Sequence, residues 1–385
     1  MTIPQGYKQT AVGIIPQEWK VKRLGACFSI GHGRDYKHLP NGDIPVYGSG
    51  GIICYVGSFL HDGETVCIGR KGTINKPFYY NGPIWTVDTL FYTHSFQSVL
   101  PRYVGYLFDS IDWMRYNEAT GVPSLTAKTI SNIKKAVPPM EEQRKIAEIL
   151  GVWDEAIEKQ SRLIEKLELR KRALMQRLLT GRTRLPGFTT PWQKAAYSEV
   201  LKEVKRTMTW NDDEEYDLIS VKRRSGGLFH RERLYGRDIK TKNLRPAKCG
   251  DFLISKMQIV HGASGLVTEE FDGMKISGSY IALVAKNRDM VDMNFINWYS
   301  KTPYFYHQTY VSSYGVHIEK MTFDLESFMS MTICIPSLPE QKAIAEVLTT
   351  ADNEIATHRK KLDALRLQKR GLMQQLLTGK TRVKI

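Results

Sequence analysis

Cysteine is scarce and scattered in this sequence. The five cysteines, at positions 27, 54, 67, 249 and 334, include no Cys-x-x-Cys pair. No thiolate zinc framework or redox dithiol is encoded, and a reducing compartment, the cytoplasm, is expected. No HExxH occurs and the nine histidines do not cluster, so no metal site is expected either. No apolar run approaches the ~18–20 residues of a membrane span, and the opening MTIPQGYKQT lacks an apolar signal core. Two glycine motifs are decoys. Gly48-Ser49-Gly50-Gly51 has its third glycine misplaced for a dinucleotide loop, and no βαβ pattern follows it. Thr378-Gly379-Lys380-Thr381 imitates the end of a phosphate loop, but Gln374 stands where the first glycine belongs, and the stretch ends a helical pattern.

What is present is ordinary globular chemistry: 385 residues, 42% hydrophobic and 25% charged. The 55 Lys+Arg exceed the 40 Asp+Glu and give a net charge of +15, which favours a polyanionic partner. No tail holds the excess. Residues 202–248 differ locally: they carry seven arginines and six lysines, offset by the acidic cluster Asp212–Glu215.

An internal repeat organises the chain. EQRKIAEILGVWDEAI (142–157) returns as EQKAIAEVLTTADNEI (340–355), and ALMQRLLTGRTR (173–184) as GLMQQLLTGKTR (371–382). One offset, 198 residues, relates both pairs without a gap. Each copy reads as a long helix whose apolar seam alternates steps of four and three, the spacing of a coiled coil. The first seam is Ile146, Leu150, Trp153, Ile157, Gln160, Ile164, Leu167, Lys171, Leu174 and Leu178. The second is Ile344, Leu348, Ala351, Ile355, His358, Leu362, Leu365, Lys369, Leu372 and Leu376. Polar residues interrupt both at the same two positions. Either they fix register at a cost in stability, or the lysine stems reach out to water. Both helices follow proline, start with glutamate in the first turn and end at Thr-Gly.

The chain therefore reads as globular–helix–globular–helix, with one globular segment before each helix. In the first, 44–59, 64–74 and 84–93 read as strands and 102–117 as a helix. In the second, 250–260 and 275–284 read as strands and 294–310 as a helix broken at Pro303. Each opens near a Pro/Trp pair, Pro16 and Trp19 or Pro191 and Trp192. From that tryptophan to the Glu-Gln motif the second segment is 25 residues longer. The helices therefore repeat tightly and the globular parts loosely. The expected class is α/β (α+β): globular domains at 1–140 and 183–338, coiled-coil helices at 141–182 and 339–385, pseudo-twofold related and antiparallel.

The motifs Pro-Pro-x-Glu-Glu-Gln-x-x-Ile-Ala (138–147), Leu-Pro-Glu-Gln-x-x-Ile-Ala (338–345), Leu-Met-Gln-x-Leu-Leu-Thr-Gly, Ile-Pro-x-x-Trp (15–19), Val-Tyr-Gly-Ser-Gly-Gly-Ile (46–52) and Ile-Gly-Arg-Lys-Gly (68–72) resemble the specificity (S) subunit of type I restriction-modification systems. The resemblance covers nearly the whole chain. It implies a non-catalytic protein whose two target-recognition domains each read half of a bipartite site in double-stranded DNA. It also implies that the helices hold two methyltransferase (M) subunits, with restriction (R) subunits joining the complex. S-adenosylmethionine, ATP and Mg then belong to those partners, and no catalytic residue or cofactor is expected in this chain. In keeping with that, the sole Pro-Pro follows Val137, so the Asn/Asp-Pro-Pro-aromatic tetrapeptide of an adenine methyltransferase is missing. The competing classes are a self-contained DNA-modifying enzyme and a structural coiled-coil adaptor.

DNA affinity requires Lys/Arg on phosphates, and specificity requires polar or Arg side chains at base edges. In the first segment the candidates are Arg34, Tyr36 and Lys37; Arg70, Lys71, Asn75 and Lys76 around the Gly69–Gly72 turn; and Thr120, Ser124 and Lys128. In the second they are Arg223, Arg224, Arg231, Arg233, Lys256, Gln258, His261, Tyr314, His317 and Lys320. Ser255-Lys256-Met257-Gln258 replaces the Gly-Arg-Lys-Gly turn there, so roles do not transfer between halves. For the methyltransferases the outer helix positions Leu163, Leu169 and Met175 are candidates.

Overall fold

The computed structural model describes residues 3–384. The chain forms two compact units. One comprises the residues up to Arg162 with those from Lys360 onward, and the other is Leu163–Arg359. Each unit holds one globular domain and half of each long helix, Met140–Leu178 and Leu338–Leu377. At 39 and 40 residues these helices run to ~60 Å.

In the first unit, strands Ser29–His32, Leu90–His94, Glu64–Gly69 and Phe78–Asn81 form an antiparallel sheet in that order. A second sheet pairs Gly51–Val56 with Asn41–Gly48, and the latter runs parallel to Trp85–Thr86. Helix Pro101–Asp109 lays Tyr103, Val104, Leu107 and Phe108 into a core shared with Trp19 and Trp113. Ile146 and Leu150 of the central helix enter the same core beside Met373 and Leu376 of the C-terminal helix. The start of one helix thus packs beside the end of the other, an antiparallel pairing. The second unit repeats the plan. Strands Leu201–Glu203, Tyr280–Ala285, Phe252–Ser255 and Ser264–Leu266 form its antiparallel sheet. A second four-stranded sheet is built on the hairpin Glu215–Val221 and Leu228–Tyr235. Leu178, Ile344 and Leu348 join that unit's core.

All twenty seam positions are buried or half-buried, the polar ones included. In the second unit Lys171 Nζ lies 2.5 Å from Asp352 Oδ1, and in the first Lys369 Nζ lies 2.5 Å from Asp154 Oδ1. The two pairs are related by the 198-residue offset. These lysines therefore end on a carboxylate of the facing helix rather than in water.

The repeated motifs lock each domain to its helices. Gln143 accepts from Leu100 N and donates to Ser98 O and Pro138 O; Gln341 accepts from Asp292 N and donates to Met290 O and Pro336 O. Glu142 and Glu340 are fully buried, and each receives an arginine from beyond a helix end. Arg382 Nε reaches Glu142 at 2.8 Å, and Arg184 Nε reaches Glu340 at 2.5 Å. The Thr-Gly ends are steric requirements. Gly379 has φ +71°, and a Cβ there would meet Pro16 Cδ at 2.4 Å; Gly181, at φ +69°, lies against Trp192.

Several elements differ from the sequence reading. The helix expected over 102–117 stops at Asp109 and resumes only as the 3-10 turn Trp113–Tyr116. Ser110 Oγ takes the Leu107 carbonyl and Trp113 Nε1 the Phe108 carbonyl, groups that a continuing helix needs. Strand 44–59 is a hairpin turning at Ser49–Gly50, and strand 64–74 ends at Gly69, where a Cβ would fall 2.1 Å from Thr73 O. Segment 84–93 splits into Trp85–Thr86 and Leu90–His94. Segment 250–260 is a strand only over Phe252–Ser255, followed by the 3-10 turn Ile259–His261. Segment 275–284 divides between two sheets. Helix 294–310 breaks into Met293–Tyr299 and Pro303–Val311, with Thr302 capping the second piece.

Candidate nucleic-acid interface

In the first domain one backbone segment, Thr86–Leu90, gathers the candidate loops. Arg34 N donates to Thr86 O at 2.8 Å and Gly33 N to Leu90 O at 3.2 Å. Arg70 N and Lys71 N both donate to Thr89 O. A Cβ on Gly33 would stand 1.9 Å from Val87 O, so only glycine allows this approach. The Gly69–Gly72 turn is tied in turn to the 117–125 loop: Leu125 N donates to Arg70 O and Gly72 N to Pro123 O. Lys71 and Ser124 form a bridge. Asn117 shapes that loop by accepting from Ala119 N and Ser124 N.

Arg34, Arg70, Lys71 and Ser124 are thereby brought together. Arg70 Nη1 spends one contact on Asp88 O at 3.3 Å, whereas the Arg34 and Lys71 side chains hold no partner among the described residues. Thr120 is exposed in the Asn117 loop. Tyr36 is a packing residue, half-buried against the cluster of Val46, Val56 and Trp85. Lys37, Asn75, Lys76 and Lys128 are exposed, and no hydrogen bond ties their side chains to this hub.

In the second domain the loop between Val221 and Leu228 is fastened to the turn Ile259–His261. Arg224 N donates to His261 O at 2.7 Å and Ser225 N to Gly262 O at 2.9 Å. Arg223 Nη2 donates to Glu319 Oε2 at 3.2 Å. His261 Nε2 lies 3.2 Å from Glu319 Oε1, in a geometry too poor for a hydrogen bond, and the buried Oε1 of Gln258 has no partner. Lys256 joins through its backbone, which receives Phe323 N and donates to Ser279 O. It lines an open groove of about 710 Å³ with Lys205, Arg206, Lys242, Arg245 and Tyr314. Tyr314 (67% exposed), His317 and Lys320 lie on the exposed segment that also carries Glu319.

Arg231 and Arg233 stand apart on the hairpin strand and already have partners. Arg231 pairs with the adjacent Glu232. Arg233 grips Asp217 with two hydrogen bonds, at 2.9 and 2.8 Å, and His230 adds a third at 2.8 Å. Those donors, Arg233 foremost, pull the Asp217 carboxyl down to about 2. Among the described residues no group of His, Cys, Asp or Glu is arranged to hold a metal ion, and no helix is long and apolar enough to cross a membrane.

The sequence profile of the family described as "Type I restriction modification DNA specificity domain" matches residues 16–169 and 192–367. The chain belongs to that family. The specificity subunits of the type I restriction enzymes MjaVIII and MjaX (the latter putative) of Methanocaldococcus jannaschii are 24% and 23% identical to it, over 69% and 99% of this chain. The chain spans 66% of the length of the first of these relatives and 97% of the second. Among solved structures, the S subunit of a type I restriction-modification system from M. genitalium superimposes with a TM-score of 0.64 at 12% identity, covering 98% of each chain. A chain from a study of complex assembly in the type I R-M system gives 0.57 at 16% identity, covering 95% of this chain and 99% of that one. These two establish the S-subunit fold: two similarly built domains with two long helices. Family membership assigns DNA recognition as the coarse role.

Three contributors to the interface carried no sequence signal. Thr89 acts through its carbonyl, Asn117 through a loop closure, and Glu319 by meeting an arginine 96 residues away.

Proposed function

We propose that this chain is the non-catalytic sequence-recognition subunit of a type I restriction-modification complex acting in the cytoplasm. Each domain reads one half of a bipartite DNA site, and the helices dock two methyltransferase subunits. Restriction subunits complete the assembly, and S-adenosylmethionine, ATP and Mg are bound by the partners. The observation that carries this reading is the duplicated anchor. Glu142 with Arg382, and Glu340 with Arg184, fix two different loop sets to one repeated scaffold. A constrained scaffold with divergent loops suits two readers of different sequences. In the first domain Arg34, Arg70, Lys71 and Ser124 face the DNA; in the second, Arg223, Arg224, Lys256 and Lys320 do. Exchanging residues 183–338 for the matching domain of a relative tests the reading. Methylation-sensitive sequencing of host DNA should then show one changed half-site and one unchanged. A change in both halves, or in neither, counts against it.

A further inference from the structure

Among the described residues only four non-glycine residues have positive φ: Ser95, Ser98, Arg224 (+57°) and Ser225 (+53°). The last two are the only consecutive pair. An L-residue in this region is strained by its Cβ, and a long side chain gains nothing from it locally. Gly226 N donates to Arg223 O at 3.2 Å and closes the hairpin turn between Val221 and Leu228 with these two residues at its centre, and the surroundings hold that turn in place. Arg224 N and Ser225 N are held by the carbonyls of His261 and Gly262, and Ser225 Oγ lies 2.8 Å from Tyr306 OH. Gly226 and Gly227 follow at once, so relaxed glycine is available next door, yet arginine occupies the strained position. Such strain concentrates at positions where function requires it.

The charge partners single out the same residue. Of the seven arginines between 202 and 248, six have an acceptor within the chain: Arg206 on Asp251, Arg223 on Glu319, Arg231 on Glu232, Arg233 on Asp217, Arg237 on Asp213 and Arg245 on the Tyr280 carbonyl. Arg224 is exposed and has none among the described residues. Its neighbour Arg223 is already shared with a carboxylate, whereas an arginine on a fixed backbone with a free fork can meet a planar base edge with two donors.

We propose that Arg224 is a specificity-determining residue of the second domain, gripping a guanine edge through O6 and N7 in the major groove. This rests on the reading of residues 183–338 as a DNA-recognition domain. The test uses the full chain assembled with its methyltransferase subunits, with Arg224→Gly and Arg224→Lys. Glycine relieves the strain and removes the fork; lysine keeps the charge without the fork. Arg224→Gly should make one base pair of the second half-site degenerate, with discrimination falling roughly 5- to 150-fold, while Arg224→Lys, whose ammonium can still donate to O6 and N7, should lose less; the thermal midpoint of the Arg224→Gly chain should not fall. An unchanged methylated sequence in Arg224→Gly overturns the assignment. So does equal weakening on matched and mismatched DNA with the salt slope reduced by about one, the signature of a phosphate contact. A lowered midpoint for Arg224→Gly overturns the strain argument. If exchanging residues 183–338 leaves the methylated site unaltered, the recognition reading itself fails, independently of Arg224.

Discussion

The ammonium of Lys369 and the carboxylate of Asp154 meet at 2.5 Å between the two long helices, with the Tyr106 hydroxyl donating to the same carboxylate at 2.7 Å. The Lys369 side chain is 14% exposed, so this is a half-dry contact, and the Tyr106 ring lies under the ammonium at 5.1 Å. Lys171 and Asp352 repeat the ion pair, with the Trp298 ring 5.8 Å from the ammonium, but the Trp298 indole donates to Thr349 Oγ1 and not to the aspartate. A lysine that must find one aspartate on the facing helix penalises any slipped register. Lys369→Met should cost about 1–2 kcal/mol in urea unfolding, because Asp154 keeps its tyrosine donor. Reversing the pair, Lys369→Asp with Asp154→Lys, should recover part of that loss. A neutral single variant sinks the register argument.

The two arginine anchors should differ in strength. Glu142 receives Trp19 Nε1 at 2.8 Å besides Arg382, whereas the Trp192 Nε1 has no hydrogen-bond partner, and Glu340 relies on Arg184. Removing one partner of a buried ion pair strands the other charge, at about 3 kcal/mol. Arg184→Ala should therefore destabilise more than Arg382→Ala. Thermal unfolding of both variants checks the order, and a reversed order refutes the account.

How much of this was legible depends on where the determining contact lies. The helices were readable because their periodicity, prolines and Thr-Gly ends are local. Their duplication at one offset also displayed the two-domain plan. The break at Ser110 was not readable, because an indole four residues beyond the helix end takes the Phe108 carbonyl. Arg233 and Lys71 looked alike as cations. Only the fold shows Arg233 bound to Asp217, and Lys71 without a side-chain partner among the described residues. Leu367 is the repeat partner of Leu169 and equally off the seam, and its exposure shows only in the fold. Met175, chosen as an outer position, is half-buried against the second core.

Leu169 and Leu367 are 58% and 63% exposed, one on each helix and related by the repeat. Two equivalent apolar positions suit two copies of one partner, which is how the methyltransferase subunits are proposed to dock. Leu169→Glu should weaken association of one subunit and the double variant with Leu367→Glu that of both, with unfolding of the chain itself nearly unchanged, within about 0.5 kcal/mol. Sedimentation of the assembled complex would show a one-subunit species for the single variant. Full assembly of the double variant excludes these positions from the contact.

The Gly69–Gly72 turn offers the sharpest division between affinity and specificity in the first domain. Its backbone is fixed by Thr89 O and Pro123 O, and Gly72, at φ +89°, leaves Ser49 Oγ only 3.1 Å from where a Cβ would stand. On the proposed reading, backbone this close to the surface would bring the two adjacent cations to a phosphate rather than deep into a groove, and Arg70 Nη1 already donates to Asp88 O. Phosphate contacts supply affinity and register but little sequence information. Arg70→Ala with Lys71→Ala should therefore weaken matched and mismatched DNA alike. The slope of log K against log salt should fall by about one unit per lost contact, with the methylated sequence unchanged. Degeneracy at one base pair of the first half-site with an unaltered salt slope would instead make Arg70 a base reader.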